Sequence, residues 1–291
     1  MQKTSLNDFE SWLGSLAGAA EKGKGPAPNF WKPYHSLMLA AQASCLGWNN
    51  LTINAPQAVV SYLARVKLWE AIGLTPPVNV NCHATAGRFV EVRPVVDERS
   101  VASITQEYVQ VFQRLRNGSL AIDGLEILLS ELLGNSYHHS GRSHKHYALT
   151  GAQTWPNGNL AQLAIIDTGM GIRGSLAHNP MLNHRLSSEN ACALACEYSV
   201  TSKPGNGHSG YGLTFARDLI EINNGNLIVA SGDEVFQLCE RNVQQKKMNF
   251  TWGGTIIILE WNTDKPLIAR DVYNRWPMPP GMCEDDFDDL F

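Results

Sequence analysis

Residues Glu131 to Ser140 read ELLGNSYHHS and close a pattern that begins at Asp123. Leu125, Leu128, Leu129, Leu132 and Leu133 recur at i, i+3, i+4, i+7 and i+8, which predicts a helix with one stripe facing a core. Glu131, Asn135 and His138 follow i, i+4, i+7 spacing and fall together on a flank beside that stripe. A carboxylate at the edge of a buried face can orient water, and an Asn carbonyl oxygen is a hard ligand suited to Mg²⁺. Taken alone, the trio also fits a solvated helix edge.

Downstream of this helix the texture turns to strands. Candidates are Tyr147 to Thr154, Leu160 to Asp167, Asn226 to Ala230, Glu234 to Leu238 and the apolar run Thr255 to Trp261. Upstream, a helix is expected near Ser103 to Leu115. Earlier still, a helix through Leu37, Ala40, Ala41 and Cys45 precedes a short strand at Leu51 to Asn54. A second helix, through Val59, Tyr62, Leu63, Val66, Leu68 and Ile72, ends at Gly73. The stretch from Pro76 to about Arg99 reads as a connection. Strands alternating with helices predict an α/β sandwich.

Two further segments carry chemistry. Ile165-Ile166-Asp167-Thr168-Gly169-Met170-Gly171-Ile172 ends an apolar strand in Asp and two glycines. The Asp can accept a hydrogen bond from an exocyclic amine such as that of adenine, while the glycines admit a ligand close to the backbone. Asp then Gly is also ordinary turn chemistry. Gly205-Asn206-Gly207-His208-Ser209-Gly210-Tyr211-Gly212-Leu213 opens a helix through Ala216, Leu219 and Ile220. A glycine-rich loop feeding a helix N-terminus is a ready anion site, although a surface loop would look the same. Gly205, Gly207 and Gly210 also satisfy GxGxxG, but no strand is expected immediately before them, which argues against a dinucleotide fold. No GxxxxGK[ST] occurs.

Composition excludes several classes. In 291 residues, 23 Lys and Arg against 27 Asp and Glu leave a formal charge of −4, so neither nucleic acid nor an anionic membrane is demanded as a partner. No apolar run suits a transmembrane helix, and Asp8 and Glu10 interrupt the start of any signal-peptide core, so a cytoplasmic chain is expected. Six cysteines lie scattered without CxxC pairing, favouring free thiols; Cys192 and Cys196 could share a helix face as metal ligands. His138, His139, His144 and His146 are dense enough to raise a transition-metal reading.

In this order and spacing, ELLGNSYHHS, DTGMGI (Asp167 to Ile172), GYGL (Gly210 to Leu213) and Gly254-Thr255 resemble the N, G1 and G2 boxes and terminal strand of the GHKL ATPase superfamily. That group includes gyrase B subunits, MutL, sensor histidine kinases and anti-sigma-factor kinases. The resemblance spans roughly residues 105 to 262. It implies a two-layer α/β sandwich with helices on one face of a mixed sheet, binding ATP and Mg²⁺. It further implies that Asn135 binds the Mg²⁺ and Glu131 polarises the attacking water or transferred hydroxyl. Asp167 would accept from the adenine amine, supported by Thr255 through a water. Gly169 and Gly171 would shape the adenine and ribose side, and Gly207, Gly210, Gly212 and Leu213 would wrap the phosphates. Residues Arg173 to Asn206 would form a lid that orders on binding, with Lys203 either reaching the γ-phosphate or staying solvated.

Departures narrow the function. His35 and His83 lack an HExxxP-like setting, which argues against autophosphorylation on His, and only about 30 residues follow Trp261, too few for a transducer domain. The expected organisation is a segment and linker at 1–28, an α/β accessory region at 29–100, an ATP-binding domain at 101–265 and an acidic tail at 266–291. The Phe30 to Gly73 part resembles a partial STAS-like module, and an extra layer capping the sheet fits it equally. The tail, ending in Glu284-Asp285-Asp286-Phe287-Asp288-Asp289-Leu290-Phe291, suits either a basic groove on a partner or a solubilising role. The expected function is an Mg²⁺-dependent ATP-hydrolysing switch controlling a protein partner, STAS-like or encoded in the same operon, with room for a homodimer. A protein kinase acting on a partner Ser or His, and a nucleotide sensor without turnover, are the alternatives.

Overall fold

A computed structural model describes residues 1–19, 24–80, 89–114, 120–139, 146–204 and 210–277. The chain opens with α1 (Leu6–Ala19), β1 (Lys24–Gly25), α2 (Pro33–Cys45), β2 (Thr52–Ile53), α3 (Gln57–Arg65) and α4 (Leu68–Ala71). β3 (Phe89–Val95), α5 (Glu98–Arg114), α6 (Asp123–His139), β4 (Ala148–Trp155) and β5 (Leu160–Ile166) follow. Three short helices come next: α7 (Gly171–Leu176), α8 (Asn183–Leu186) and α9 (Ala191–Leu194). The last elements are α10 (Gly212–Ile222), β6 (Asn226–Cys239), β7 (Asn242–Asn262) and α11 (Ala269–Tyr273). β1 and β2 form a small parallel pair, and the main sheet runs β3-β4-β5-β7-β6.

The α/β layering expected from sequence is present, with two differences. Every pairing in the main sheet is antiparallel rather than mixed, and helices cover both faces rather than one. The physical reason lies in β5, where every residue from Leu160 to Ile166 is buried. A strand with no solvated side needs a layer on each face. Side chains alternate between the two: Leu163 and Ile165 of β5 and Ile257 and Leu259 of β7 join α5, α6 and α10. Ala164 and Ile166, with Ile256 and Ile258, join α1 and α2.

The N-terminal regions therefore belong to the sheet. In α1 the stripe Leu6, Phe9, Trp12, Leu13 and Leu16 is buried on the second face, and α2 is buried almost all round. β3, inside the 29–100 region, is an edge strand of the main sheet, so residues 29–100 and 101–265 share one sheet and both cores. The single helix expected from Val59 to Ile72 is interrupted at Lys67, whose φ of 58° is left-handed and starts α4 afresh. The strands expected at 226–230 and 234–238 are one strand, β6, kinked by register shifts around Gly232. Among the described residues no helix is long and apolar enough to cross a membrane. The acidic end from residue 278 lies outside the described residues.

A buried polar network fastens the N-terminus to the sheet. Glu260 of β7 is fully buried and accepts from Lys32 Nζ (2.9 Å), Thr4 N and Oγ1 (2.7 Å each), Gln162 Nε2 and Asn226 Nδ2 (2.7 Å each). Removing one partner of such a pair strands a charge in a dry interior, whereas replacing both with apolar groups is far milder. Lys32→Met is therefore expected to lower stability by about 3–5 kcal/mol, and Lys32→Met with Glu260→Gln, which removes the stranded charge and keeps an acceptor oxygen for the Thr4 and Asn226 donors, to recover part of it. Urea unfolding midpoints of the two variants check this, and equal losses in both would contradict it.

Candidate functional site

The leucine stripe of α6 is buried as the spacing predicted, which sets Glu131, Asn135 and His138 along the edge of the core. All three border a cavity of about 320 Å³. Asp167, Gly171, Gly210, Gly212, Leu213 and Thr255 line the same cavity, so four separated segments meet at one place. This volume is at the small end for ligand sites and suits a nucleoside-sized body rather than a polymer.

Asp167 sits where β5 ends, held from three sides. Its N–H donates to the Thr255 carbonyl (2.9 Å), its carbonyl accepts from Trp252 Nε1 (2.8 Å), and its Oδ1 accepts from the N–H groups of Gly169 (2.9 Å) and Thr255 (3.2 Å). The Thr255 side chain also favours the ionised form of this carboxyl. Gly254 permits the crossing: its φ is +124°, and a Cβ there would lie 2.3 Å from the Asp167 carbonyl oxygen. Gly169 thus acts through Asp167 rather than at the cavity wall. A carboxylate has about four acceptor sites, so capacity remains for a ligand amine.

At another wall, α10 points its N-terminus at the polar flank of α6. A Cβ on Gly212 would sit 2.7 Å from Asn135 Nδ2 and 3.1 Å from Glu131 Oε2, so a larger residue would push these two side-chain ends from their places. The first turn of a helix presents N–H groups without intrahelical partners, together with a positive dipole end. An amide oxygen and a carboxylate are donor types that Mg²⁺ takes together with phosphates and water, so Asn135 and Glu131 are the side chains on this flank that could hold one, with the Asn135 amide turning its Nδ2 towards Gly212. Among the described residues no group of three or more His, Cys, Asp or Glu could hold a metal by itself.

The segment expected to form a lid, Arg173 to Asn206, is described as far as Pro204 and is packed on the domain. Leu176, Leu182, Leu186, Cys192, Leu194 and Cys196 enter the core. Arg173 forks onto buried Glu234 (2.9 and 2.7 Å) and donates to the Glu189 and Leu186 carbonyls, tying the segment to β6. Lys203 Nζ donates to the His138 carbonyl (3.2 Å) at an exposed position, next to a residue that lines the cavity. Cys192 and Cys196 are core residues whose thiols burial pushes up, that of Cys196 to about 12. Residues 201–204, before the glycine loop, form no strand, in keeping with the weak dinucleotide signature. Gly207 and His144 lie outside the described residues, as does the rest of the loop from 205 to 209.

Sequence reasoning missed Trp252, Ser231 and Glu234. Ser231 Oγ accepts from Ile172 N (2.8 Å) and donates to the Gly254 carbonyl (2.7 Å), joining the two glycine turns that flank Asp167. The run Trp252-Gly253-Gly254-Thr255 was the visible signal for part of this; Glu234 had none.

Burial pushes the Asp167 carboxyl from its ordinary 3.8 up to about 6, against the lowering pull of the Gly169 and Thr255 donors. The native chain therefore holds this proton more tightly than the unfolded one. The resulting stabilisation is complete below about pH 4 and is lost as the pH rises to about 6. Asp167→Asn keeps an Oδ1 for both backbone donors and carries no charge. It is expected to be more stable than the parent near pH 7.5, by at most roughly 3 kcal/mol, and about equal to it near pH 4. Urea midpoints across that range provide the check, and a pH-independent difference would contradict the assignment.

No protein-family model matches the chain, and neither a curated protein nor a solved structure matches it.

Proposed function

We propose that this chain is an Mg²⁺-dependent ATP-binding and hydrolysing switch of the GHKL type, acting on a protein partner. The observation that supports the reading is the convergence of Glu131, Asn135, Asp167, Gly212 and Thr255 on one nucleoside-sized cavity. The antiparallel sheet and the helical layer from α1 and α2 are departures from the two-layer arrangement that the resemblance implies. The α1 and α2 layer lies on the other face of the sheet, while β7 itself reaches the cavity through Thr255 and Ile257.

Each residue then has a task set by its surroundings. Asp167, dry and braced by Gly169 and Thr255, accepts from the adenine amine, a donor that a guanine ring would replace with an oxygen. The α10 N-terminus, with the backbone of Gly210 and Gly212, receives phosphate oxygens. Asn135 holds the Mg²⁺ with those phosphates, and the ion supplies neutralisation of phosphate charge. Glu131, on the same flank one turn away, orients the attacking water. Lys203 is within reach of the outermost phosphate by exchanging its bond to the His138 carbonyl.

Glu131→Gln is expected to keep ATP affinity within about twofold while phosphate release falls by a factor on the order of 100 or more. Asp167→Asn places an NH2 against the adenine amine, donor facing donor, and is expected to weaken ATP binding by about tenfold or more. Calorimetry with Mg²⁺ and a phosphate-release assay measure both. Undiminished release by Glu131→Gln would remove the hydrolase reading, and label appearing on a co-purified protein would replace it with the kinase. Binding without any release by the parent chain would leave the sensor.

A further inference from the structure

Three half-buried aromatic rings meet beside the cavity, brought from different parts of the chain. Tyr198 precedes the glycine-rich loop, Tyr211 follows it, and Trp276 comes from the segment after α11. Tyr198 and Tyr211 stack with centroids 4.9 Å apart and planes at 25°, their hydroxyls 3.4 Å apart. The Trp276 ring closes on both, 5.2 Å from Tyr198 and 5.1 Å from Tyr211. Its Nε1 donates to Asp218 Oδ2 (2.7 Å), a buried carboxylate on α10, so the indole is fixed to that helix as well as to the two tyrosines.

Tyr211 is where this clasp touches the site. It lines the cavity, its carbonyl accepts the first helical bond of α10 from Phe215 N (2.7 Å), and it lies between Gly210 and Gly212. Gly210 has φ +74° and is pressed against the Val200 carbonyl, where a Cβ would come within 2.5 Å. Gly212 is pressed against Asn135 and Glu131. A ring held from outside therefore sets the backbone of the turn whose N–H groups face phosphate. Ser199, next to Tyr198, has φ 62°, so the other stem of the loop is also bent at the clasp. Offset and edge-on ring pairs are individually weak, and only their joint engagement holds two stems and a helix in one register.

We propose that Trp276 is a positioning residue for the phosphate-binding turn, and that docking of the C-terminal segment is thereby coupled to triphosphate occupancy. This rests on the ATP reading above. Coupling is reciprocal: ATP tightens residues 266–277 on the domain, and a partner that draws this segment away weakens ATP. Adenine recognition at Asp167 is built on β5 and β7 and does not pass through the clasp, so the effect is confined to the phosphate end.

The test compares Mg²⁺-ATP with adenosine by calorimetry in the full chain. Trp276→Ala is expected to weaken ATP by about tenfold or more while adenosine changes by less than about twofold. Trp276→Phe, which keeps one aromatic ring but loses the bond to Asp218 and part of the ring contact, is expected to fall between. A parallel loss for ATP and adenosine, or no change for either, would overturn the proposal. Amide exchange of peptides within 266–277 in the parent chain gives an independent reading that needs no variant. Slower exchange with Mg²⁺-ATP than with adenosine is expected, and identical exchange overturns the coupling. If the parent chain takes up neither ligand, the ATP reading itself fails; if it binds both and the variants match it, only the clasp fails.

Discussion

β5 is a strand without a wet side, and most of the architecture answers to that. Its seven residues bury alternate side chains in two different cores, so helices must cover both faces of the sheet. It also delivers Asp167 to a place that water scarcely reaches, 7% exposed, at the rim between β7 and the glycine turns. A carboxylate there can be tolerated only because N–H and O–H groups from Gly169 and Thr255 replace part of its hydration. The incomplete replacement is what lifts its pKa, and the same incompleteness leaves it able to accept from a ligand. Stability and the proposed recognition thus draw on one partly satisfied carboxylate, and neutralising it exchanges one for the other.

The second constraint is steric. α10 and α6 meet with no side chain between them at Gly212, and β7 crosses Asp167 with none at Gly254. These contacts bring a helix N-terminus, an amide oxygen donor and a carboxylate to one cavity without a loop having to carry any of them. Groups mounted on helices and strands hold their geometry better than groups on loops, which suits the proposed task of orienting water and phosphate. Glu131 and Asn135 are further fixed by the leucine stripe beside them, since α6 cannot rotate without exposing Leu128 and Leu132.

How much was legible in the sequence follows from the length of each signal. The 17 residues of α6 supply several turns of 3.6 periodicity, and β5 supplies a continuous apolar run, so the elements carrying Glu131, Asn135 and Asp167 were readable. β3 was not: Val90-Glu91-Val92-Arg93 alternates, but the run is short, Pro94 breaks it, and the strand is irregular between Val90 and Arg93 at the sheet edge. α1 has a clear apolar stripe, but a stripe says only that some face is covered, not which surface covers it. Residues 173–204 form helices of four to six residues, too short for any period to show, and their packing depends on Arg173 finding Glu234 sixty-one positions away. The aromatic clasp was invisible for the same reason: Tyr198, Tyr211 and Trp276 share no local pattern, and only the tertiary fold brings them together.

The segment from Arg173 to Pro204 is held to the domain by its own side chains rather than by a loop's backbone alone. Leu176, Leu182, Leu186, Cys192, Leu194 and Cys196 are core residues, and Arg173 forks onto the buried Glu234 of β6. Lifting the segment would return that apolar surface to water and strand a carboxylate in a dry interior, so any movement of the whole segment works against both costs at once.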